Sequence, residues 1–258
     1  MSDTKHIQSM VSNGIMSLRI NRPDKKNALN LAMYQAFADG LREADRDDAV
    51  RVIVICGGTD CFTSGNDLAD FLGAPPTGPE SPVMQFLLAI SETRKPVIAA
   101  VNGLAVGVGV TMLLHCDLVY AGSGATFQMP FVNLALCPEA GSTLLLPRIM
   151  GHQRAAELLL LGEPFGAEKA HNVGIVTEVC PDDTVLETAE KRAAQLVKQP
   201  AAALRLTKSL LKRDYAAPLR ETIIEEGAQF MARLKSPEAA EALQAFMERR
   251  KPDFSRFT

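Results

Sequence analysis

Apolar and polar positions along this chain change rhythm near Pro200. Before it, short β-rich runs alternate with segments whose apolar residues recur every three or four positions. Ile7 to Val11 and Ile15 to Ile20 read as two strands around Ser12-Asn13-Gly14, a hairpin turn. Leu29 to Ala44 reads as a helix, with Leu31, Tyr34, Phe37, Ala38 and Leu41 near one face. Val50 to Cys56 is a strand ending at Gly57-Gly58, and a loop is expected from Thr59 to Asp67. Pro75, Pro76, Gly78, Pro79 and Pro82 make Gly73 to Pro82 an exposed loop, followed by a helix over Val83 to Thr93.

The stretch Lys95 to Met129 organises the rest. Val97 to Val101 is a strand, Asn102-Gly103 a turn, and Gly107 and Gly109 open a helix over Val108 to Leu114. Asp117 to Tyr120 returns to strand. A strand, a glycine-rich turn and a buried helix bring unpartnered first-turn N–H groups within reach of a ligand, an arrangement suited to an anion or a developing oxyanion. Close helix packing explains Gly107 and Gly109 as well. After Thr126 to Gln128 and a loop to Cys137, Pro138-Glu139-Ala140-Gly141-Ser142 leads into Thr143 to Leu146. Helices are expected over Gln153 to Leu161 and Ala167 to Asn172, and a strand over Val176 to Val179. From Asp183 onward only helices are expected: Asp183 to Lys198, Ala201 to Lys212, Leu219 to Leu234 and Pro237 to Arg249, with prolines near several starts. The organisation is a mixed α/β region, 1–199, and an all-helical region, 200–258.

Composition narrows the class. The chain has 258 residues, 47% hydrophobic and 22% charged, enough for one large core without staples. A net charge of -3 argues against a general nucleic-acid or acidic-membrane binder. Five scattered cysteines without a Cys-x-x-Cys pair read as reduced thiols, mostly buried, of an intracellular, cytoplasmic protein. Met1 to His6 is polar, no apolar run reaches membrane-span length, and the final tripeptide is not a peroxisomal address. The histidines have no metal-ligand spacing, so no metal is expected. A dinucleotide-binding reading is set aside. The glycines miss the Gly-x-Gly-x-x-Gly spacing, and the next strand ends in Ala121-Gly122 rather than an acid.

Three stretches taken together, Phe62 to Leu68, Pro96 to Asp117 and Pro138 to Gly151, resemble the crotonase family of enoyl-CoA hydratases and isomerases. Weaker matches are Asn21-Arg22-Pro23 with Asn27-Ala28-Leu29, Ala167 to Val179, and Phe246 to Lys251. The resemblance runs in order along almost the whole chain. It implies an α/β fold, a spiral of repeated ββα units with a C-terminal helical trimerisation region, and a homotrimer or dimer of trimers. It also implies a coenzyme A thioester as substrate and no separate cofactor.

By residue match, the N–H groups of Ser64 and Val108 would hold the thioester oxygen as charge develops on it. Preorganised donors of this kind are worth about 10²–10³ in rate each. For Ser64-Gly65 a plain turn before a capped helix is the other reading. Val108 stands where the family commonly has glycine. The two hydratase glutamates match Thr111 and Phe131, neither of which can handle a proton near neutral pH. The remaining acid, Glu139, matches the single glutamate of the peroxisomal-type 3-enoyl-CoA to 2-enoyl-CoA isomerases. One base suffices there to carry a proton from C2 to C4. Residues alone also allow Glu139 to be a first-turn acid complementing a helix dipole. Asp67 and Asp117 read as structural acids, and Cys61 and Cys137 as small hydrophobes.

The family further implies that coenzyme A runs along Lys25, Lys26 and Ala28 and the backbone of Ser64, Gly65, Asn66, Asp67 and Leu68. Phe246 and the cations Arg249 and Lys251 of the last helix, from this or a neighbouring subunit, would complete that site; a solvated charged face explains the four cations nearly as well. Thr111, Phe131 and Leu136 would border the acyl pocket. The expected function is isomerisation of 3-enoyl-CoA in fatty-acid β-oxidation. Hydration, dienoyl isomerisation, thioester hydrolysis and non-catalytic binding of CoA esters are the alternatives.

Overall fold

The computed structural model describes residues 6–73 and 78–257. Pro75 and Pro76 of the proline-rich loop, and the first five residues, lie outside the described residues.

The first third of the chain holds β1 (Ile7–Ser12), β2 (Ile15–Ile20), α1 (Leu31–Arg46), β3 (Val52–Cys56), β4 (Cys61–Thr63), α2 (Leu68–Gly73) and α3 (Pro82–Glu92). The middle holds β5 (Val97–Val101), β6 (Leu104–Val106), α4 (Val108–Thr111), β7 (Leu118–Gly122), β8 (Thr126–Gln128), α5 (Ser142–Met150) and α6 (His152–Ala156). The remainder holds β9 (Phe165–Gly166), α7 (Ala167–Asn172), β10 (Glu178–Cys180), α8 (Val185–Val197), α9 (Ala201–Lys212), α10 (Ala216–Leu234) and α11 (Pro237–Met247).

These strands make two sheets. One has the order β1-β2-β3-β5-β7-β10 and is parallel except for the β1–β2 hairpin. The other has the order β4-β6-β8-β9, parallel except for its last pair. The pairs β3/β4, β5/β6 and β7/β8 each send one strand to each sheet before the chain moves on, so the expected spiral of ββα units is present. Every residue of β3 and β5 is buried, as expected of parallel strands covered on both faces. Val52, Val54, Ile98 and Ala100 pack under Val185, Ala189 and Ala193 of α8, while the opposite face feeds the main core. At the hairpin, Asn13 and Gly14 both have positive φ, 51° and 79°, as a two-residue turn of matching twist requires.

Several sequence expectations are corrected. The loop expected over Thr59 to Asp67 contains β4, whose short run carries no readable alternation. The helix expected over Val108 to Leu114 is helical only to Thr111 and then tightens into a 3₁₀ turn, Met112–His115. Gln153 to Leu161 is α6 followed by a wider π-type turn, Glu157–Leu161. The last strand of the large sheet is Glu178–Cys180, paired with β7, rather than Val176 to Val179. The helix expected from Leu29 starts at Leu31, because Asn30 caps it by accepting the Met33 N–H. Leu29 is left to bridge Asn66.

Asp117 has a structural place. Its Oδ2 accepts the Val97 N–H at 2.8 Å and the Lys208 ammonium at 2.7 Å. Lys208, on α9 and 5% exposed, also donates to the Lys95 carbonyl, so the pair locks α9 onto the start of β5. All five cysteines are free; Cys56 and Cys180 are buried, and the other three are half-buried.

Candidate active site

Two backbone segments converge past the ends of the paired strands β4 and β6: the loop after β4, Ser64 to Asp67, and the start of α4. Glycines let them touch. Gly65 has φ +90°, and a Cβ there would lie 2.8 Å from the Val106 carbonyl oxygen. A Cβ on Gly109 would fall 2.6 Å from the Thr63 methyl and 3.1 Å from its carbonyl oxygen. The close-packing reading of Gly109 therefore holds, and packing is what sets the spacing of the backbone donors.

The donors are not quite those expected. Ser64 gives its N–H to the Lys26 carbonyl at 3.0 Å, and Gly65 gives its own to Thr63 Oγ1 at 3.1 Å. The cause is the bridge between Leu29 and Asn66, in which Leu29 donates to the Gly65 carbonyl and Asp67 donates back to the Leu29 carbonyl. In a strand-like segment successive N–H groups point to opposite sides. The Asn66 N–H is thus turned away from Leu29, and Asn66 itself lines the cleft. Among the described residues no acceptor takes the N–H of Asn66 or of Val108. Asn66 replaces Ser64 as the first free donor, and Val108 stays as the second.

Glu139 lies at the inner end of that cleft, 7% exposed. It borders a small apolar pocket with Asn66, Phe71, Val83, Met84, Leu87, Gly227 and Phe230. Thr111 Oγ1 donates a short hydrogen bond to Glu139 Oε1. Burial pushes the Glu139 acid up to about 8; the Thr111 hydrogen bond opposes this and the charge of Glu226 adds to it. Behind Glu139, His115 Nε2 meets the Ala140 carbonyl at 2.8 Å. A carbonyl only accepts, so Nε2 carries the hydrogen, and burial lowers His115 to about 3, leaving it neutral.

Asn66, Phe71 and Phe230 line both this pocket and a surface groove, so the two adjoin. Lys25, Lys26, Ala28, Ser64, Gly65, Asp67, Leu68, Phe131, Leu136 and Phe246 all line the groove. Arg249 does not; Arg250 does. After α11 the chain turns at Arg249, whose φ is +56°, and Arg250 swings back to bond Glu241 at 2.6 Å. Asp67 is a structural acid as read. Burial would raise it, but the Arg22 guanidinium at 2.7 Å and backbone N–H groups hold it below its usual range.

A sequence model of the enoyl-CoA hydratase/isomerase family matches residues 10–256. The chain belongs to that family. Enoyl-CoA hydratase/isomerase enzymes act on acyl-CoA thioesters. This family member is 36% identical over 258 residues to the 1,2-epoxyphenylacetyl-CoA isomerase of Escherichia coli, covering 96% of this chain and 98% of that one. It is also 36% identical over 244 residues to enoyl-CoA delta isomerase 2 of Homo sapiens, covering 92% of this chain but only 62% of that protein's length. A solved structure of Pseudomonas aeruginosa OdaA superposes with a TM-score of 0.92 at 51% identity, covering 94% of this chain and 99% of the other.

Three site residues of this family member escaped the sequence reading. The Tyr34 hydroxyl donates a short hydrogen bond to Asn66 Oδ1, and the Tyr34 ring packs on Phe86 at 5.5 Å between α1 and α3. A tyrosine on the buried face of a helix needs such a partner. Phe230 reaches the pocket from α10, in the region expected to serve self-association. Glu226 lies on the apolar stripe of the same helix, where an acid is out of pattern. Among the described residues no group of His, Cys, Asp and Glu is arranged to hold a metal ion, and no helix is long and apolar enough to cross a membrane.

Proposed function

We propose that this chain isomerises 3-enoyl-CoA to 2-enoyl-CoA in the β-oxidation of unsaturated fatty acids. The carrying observation is that Glu139 is the one carboxylate among the described residues lining the inner pocket, with threonine and phenylalanine, Thr111 and Phe131, at the two positions that match the family's hydration acids. Glu139 removes a proton from C2. The thioester oxygen becomes a dienolate oxygen held by the N–H groups of Asn66 and Val108, and the protonated Glu139 returns the proton at C4. The C3–C4 double bond thereby moves to C2–C3, conjugated with the thioester. The step needs no metal or redox cofactor. The apolar walls exclude the water that would hydrate the product and strengthen the fixed dipoles around the reacting atoms. Leu206, Leu210 and Leu211, exposed on α9, support self-association of the C-terminal helices, as a trimer or dimer of trimers.

A second reading comes from the pocket's aromatic walls. Phe71 and Phe230 meet edge to face with centroids 6.5 Å apart, which suits an acyl group bearing a ring. One relative is named for a ring-epoxide acyl-CoA.

The test follows the ultraviolet absorbance of the conjugated enoyl thioester when 3-enoyl-CoA is added to wild type and to Glu139→Gln, with 2-enoyl-CoA as a hydration control and a phenylacetyl-type acyl-CoA beside it. Absorbance rising with wild type alone, without hydration, supports isomerisation by Glu139. Rapid hydration of 2-enoyl-CoA defeats it, and turnover confined to the aromatic thioester selects the second reading.

A further inference from the structure

Helix α10 buries Leu219, Ile223, Gly227 and Phe230 on one stripe, and Glu226, 7% exposed, falls among them. Its carboxylate reaches across to another helix. Oε2 accepts the Gly141 N–H at 2.6 Å, and Oε1 accepts the Thr143 N–H at 2.9 Å and the Thr143 hydroxyl at 2.5 Å. These donors are the cap and first turn of α5. Glu139 stands just before that cap, joined to it by Ala140 in the left-handed conformation, φ +62°. The free N–H groups of a helix start stabilise any nearby anion. They would make Glu139 easier to ionise and a poorer proton acceptor. Glu226 already occupies them.

We propose that Glu226 is a positioning residue for Glu139: it ties up the donors at the start of α5 that would otherwise solvate the Glu139 carboxylate, and it fixes the turn between the two. This rests on Glu139 being the proton-transferring base. The titratable groups around Glu139 come from four directions: Glu226 on α10, Tyr34 on α1, Cys137 on its own loop, and His115 beyond the Ala140 carbonyl. Burial keeps three of them uncharged in the working range, with Tyr34 and Cys137 raised, the thiol to about 11, and His115 lowered to about 3. Of the four, Glu226 is the one whose charge, when present, raises the Glu139 acid. Burial raises its own acid, against the opposing hydrogen bonds of Thr143, Gly141 and Ser142, so the two glutamates titrate as a coupled pair.

A purely structural cap for α5 would also cost stability when removed, so the deciding readout is the proton affinity of Glu139. In the full-length protein, the carboxylic-acid infrared band absent from Glu139→Gln belongs to Glu139, and its titration needs no substrate. Glu226→Gln removes the facing charge and loosens the hold on the helix donors; both changes move the midpoint down, by about one pH unit, a tenfold drop in proton affinity. Thr143→Val, which makes Glu226 harder to ionise, moves it the same way by less and serves if Glu226→Gln does not fold. An unchanged or raised midpoint in a folded variant overturns the proposal. Turnover of 3-enoyl-CoA is followed in parallel. A shifted band without turnover in wild type keeps the role of Glu226 and defeats the isomerase reading. Turnover whose acid limb stays put in the variant, with an unshifted band, does the reverse.

Discussion

Replacing Glu139 by glutamine should stabilise the protein, and by an amount that grows with pH. A glutamate in an unfolded chain loses its proton near 4.5, and Glu139 in the folded chain near 8. Between those values the native state holds a proton that the unfolded state has released, so native stability falls as pH rises. At about 1.4 kcal/mol for each tenfold change in proton affinity, ionisation of Glu139 costs the fold about 3 kcal/mol by pH 7 and up to about 5 kcal/mol by pH 9. Glutamine has no such charge to bury and keeps an acceptor for the Thr111 hydroxyl. Below pH 5 the two proteins should be nearly equal. Urea unfolding followed by far-ultraviolet circular dichroism, at one protein concentration and at pH 5, 7 and 9, reads the gap directly. A gap constant across that range would show that Glu139 ionises as easily in the fold as out of it, and the dry-base reasoning would fail. In the proposed reaction the same property sets the rate. Roughly a tenth of Glu139 is ionised at pH 7 in the free enzyme, so kcat/KM should climb about tenfold by pH 9.

Thr111→Val removes the hydroxyl that favours the Glu139 anion, so the acid limb of kcat/KM should move to higher pH, with turnover several-fold down at pH 7 and largely restored near pH 9.5. Gly227→Val would bring its Cβ to 2.8 Å from the Met84 sulfur and crowd the pocket that both residues line; kcat/KM for long or ring-bearing acyl-CoA should fall about tenfold or more relative to a four-carbon enoyl-CoA. Asp117→Ala strands the buried Lys208 ammonium and uncovers the Val97 N–H, and should cost about 3–5 kcal/mol in urea unfolding, much of it recovered by adding Lys208→Met.

The chain's own pattern carried the large sheet well. β3 and β5 are continuous apolar runs, which is how strands covered on both faces look. The small sheet stayed hidden because β4, β6 and β8 have three residues each and β9 two, too few to show a period. Glu139 and Val108 are candidates by family resemblance, but which N–H lies free beside Val108 is not legible in the sequence. Whether Ser64 or Asn66 offers a free N–H is decided by the bridge to Leu29, a contact thirty-odd residues away along the chain. Arg250 replaces Arg249 for a similar reason, a single left-handed residue after a helix. Glu226 did leave a trace, an acid on an apolar stripe, but nothing in α10 says that its partners are the first residues of α5.

The placing of α10 bears on how the enzyme comes into being. A ribosome that has finished β10 has made both sheets, the Asn66 and Val108 donors and Glu139 itself. It has not yet made Gly227 and Phe230, which wall the pocket, or Glu226, which meets the turn beside Glu139. Until those residues arrive and dock, the pocket around Glu139 lacks one of its walls. Every strand lies before α10 in the chain, so proteolytic clipping within α10 would strip that wall from a finished molecule without cutting either sheet.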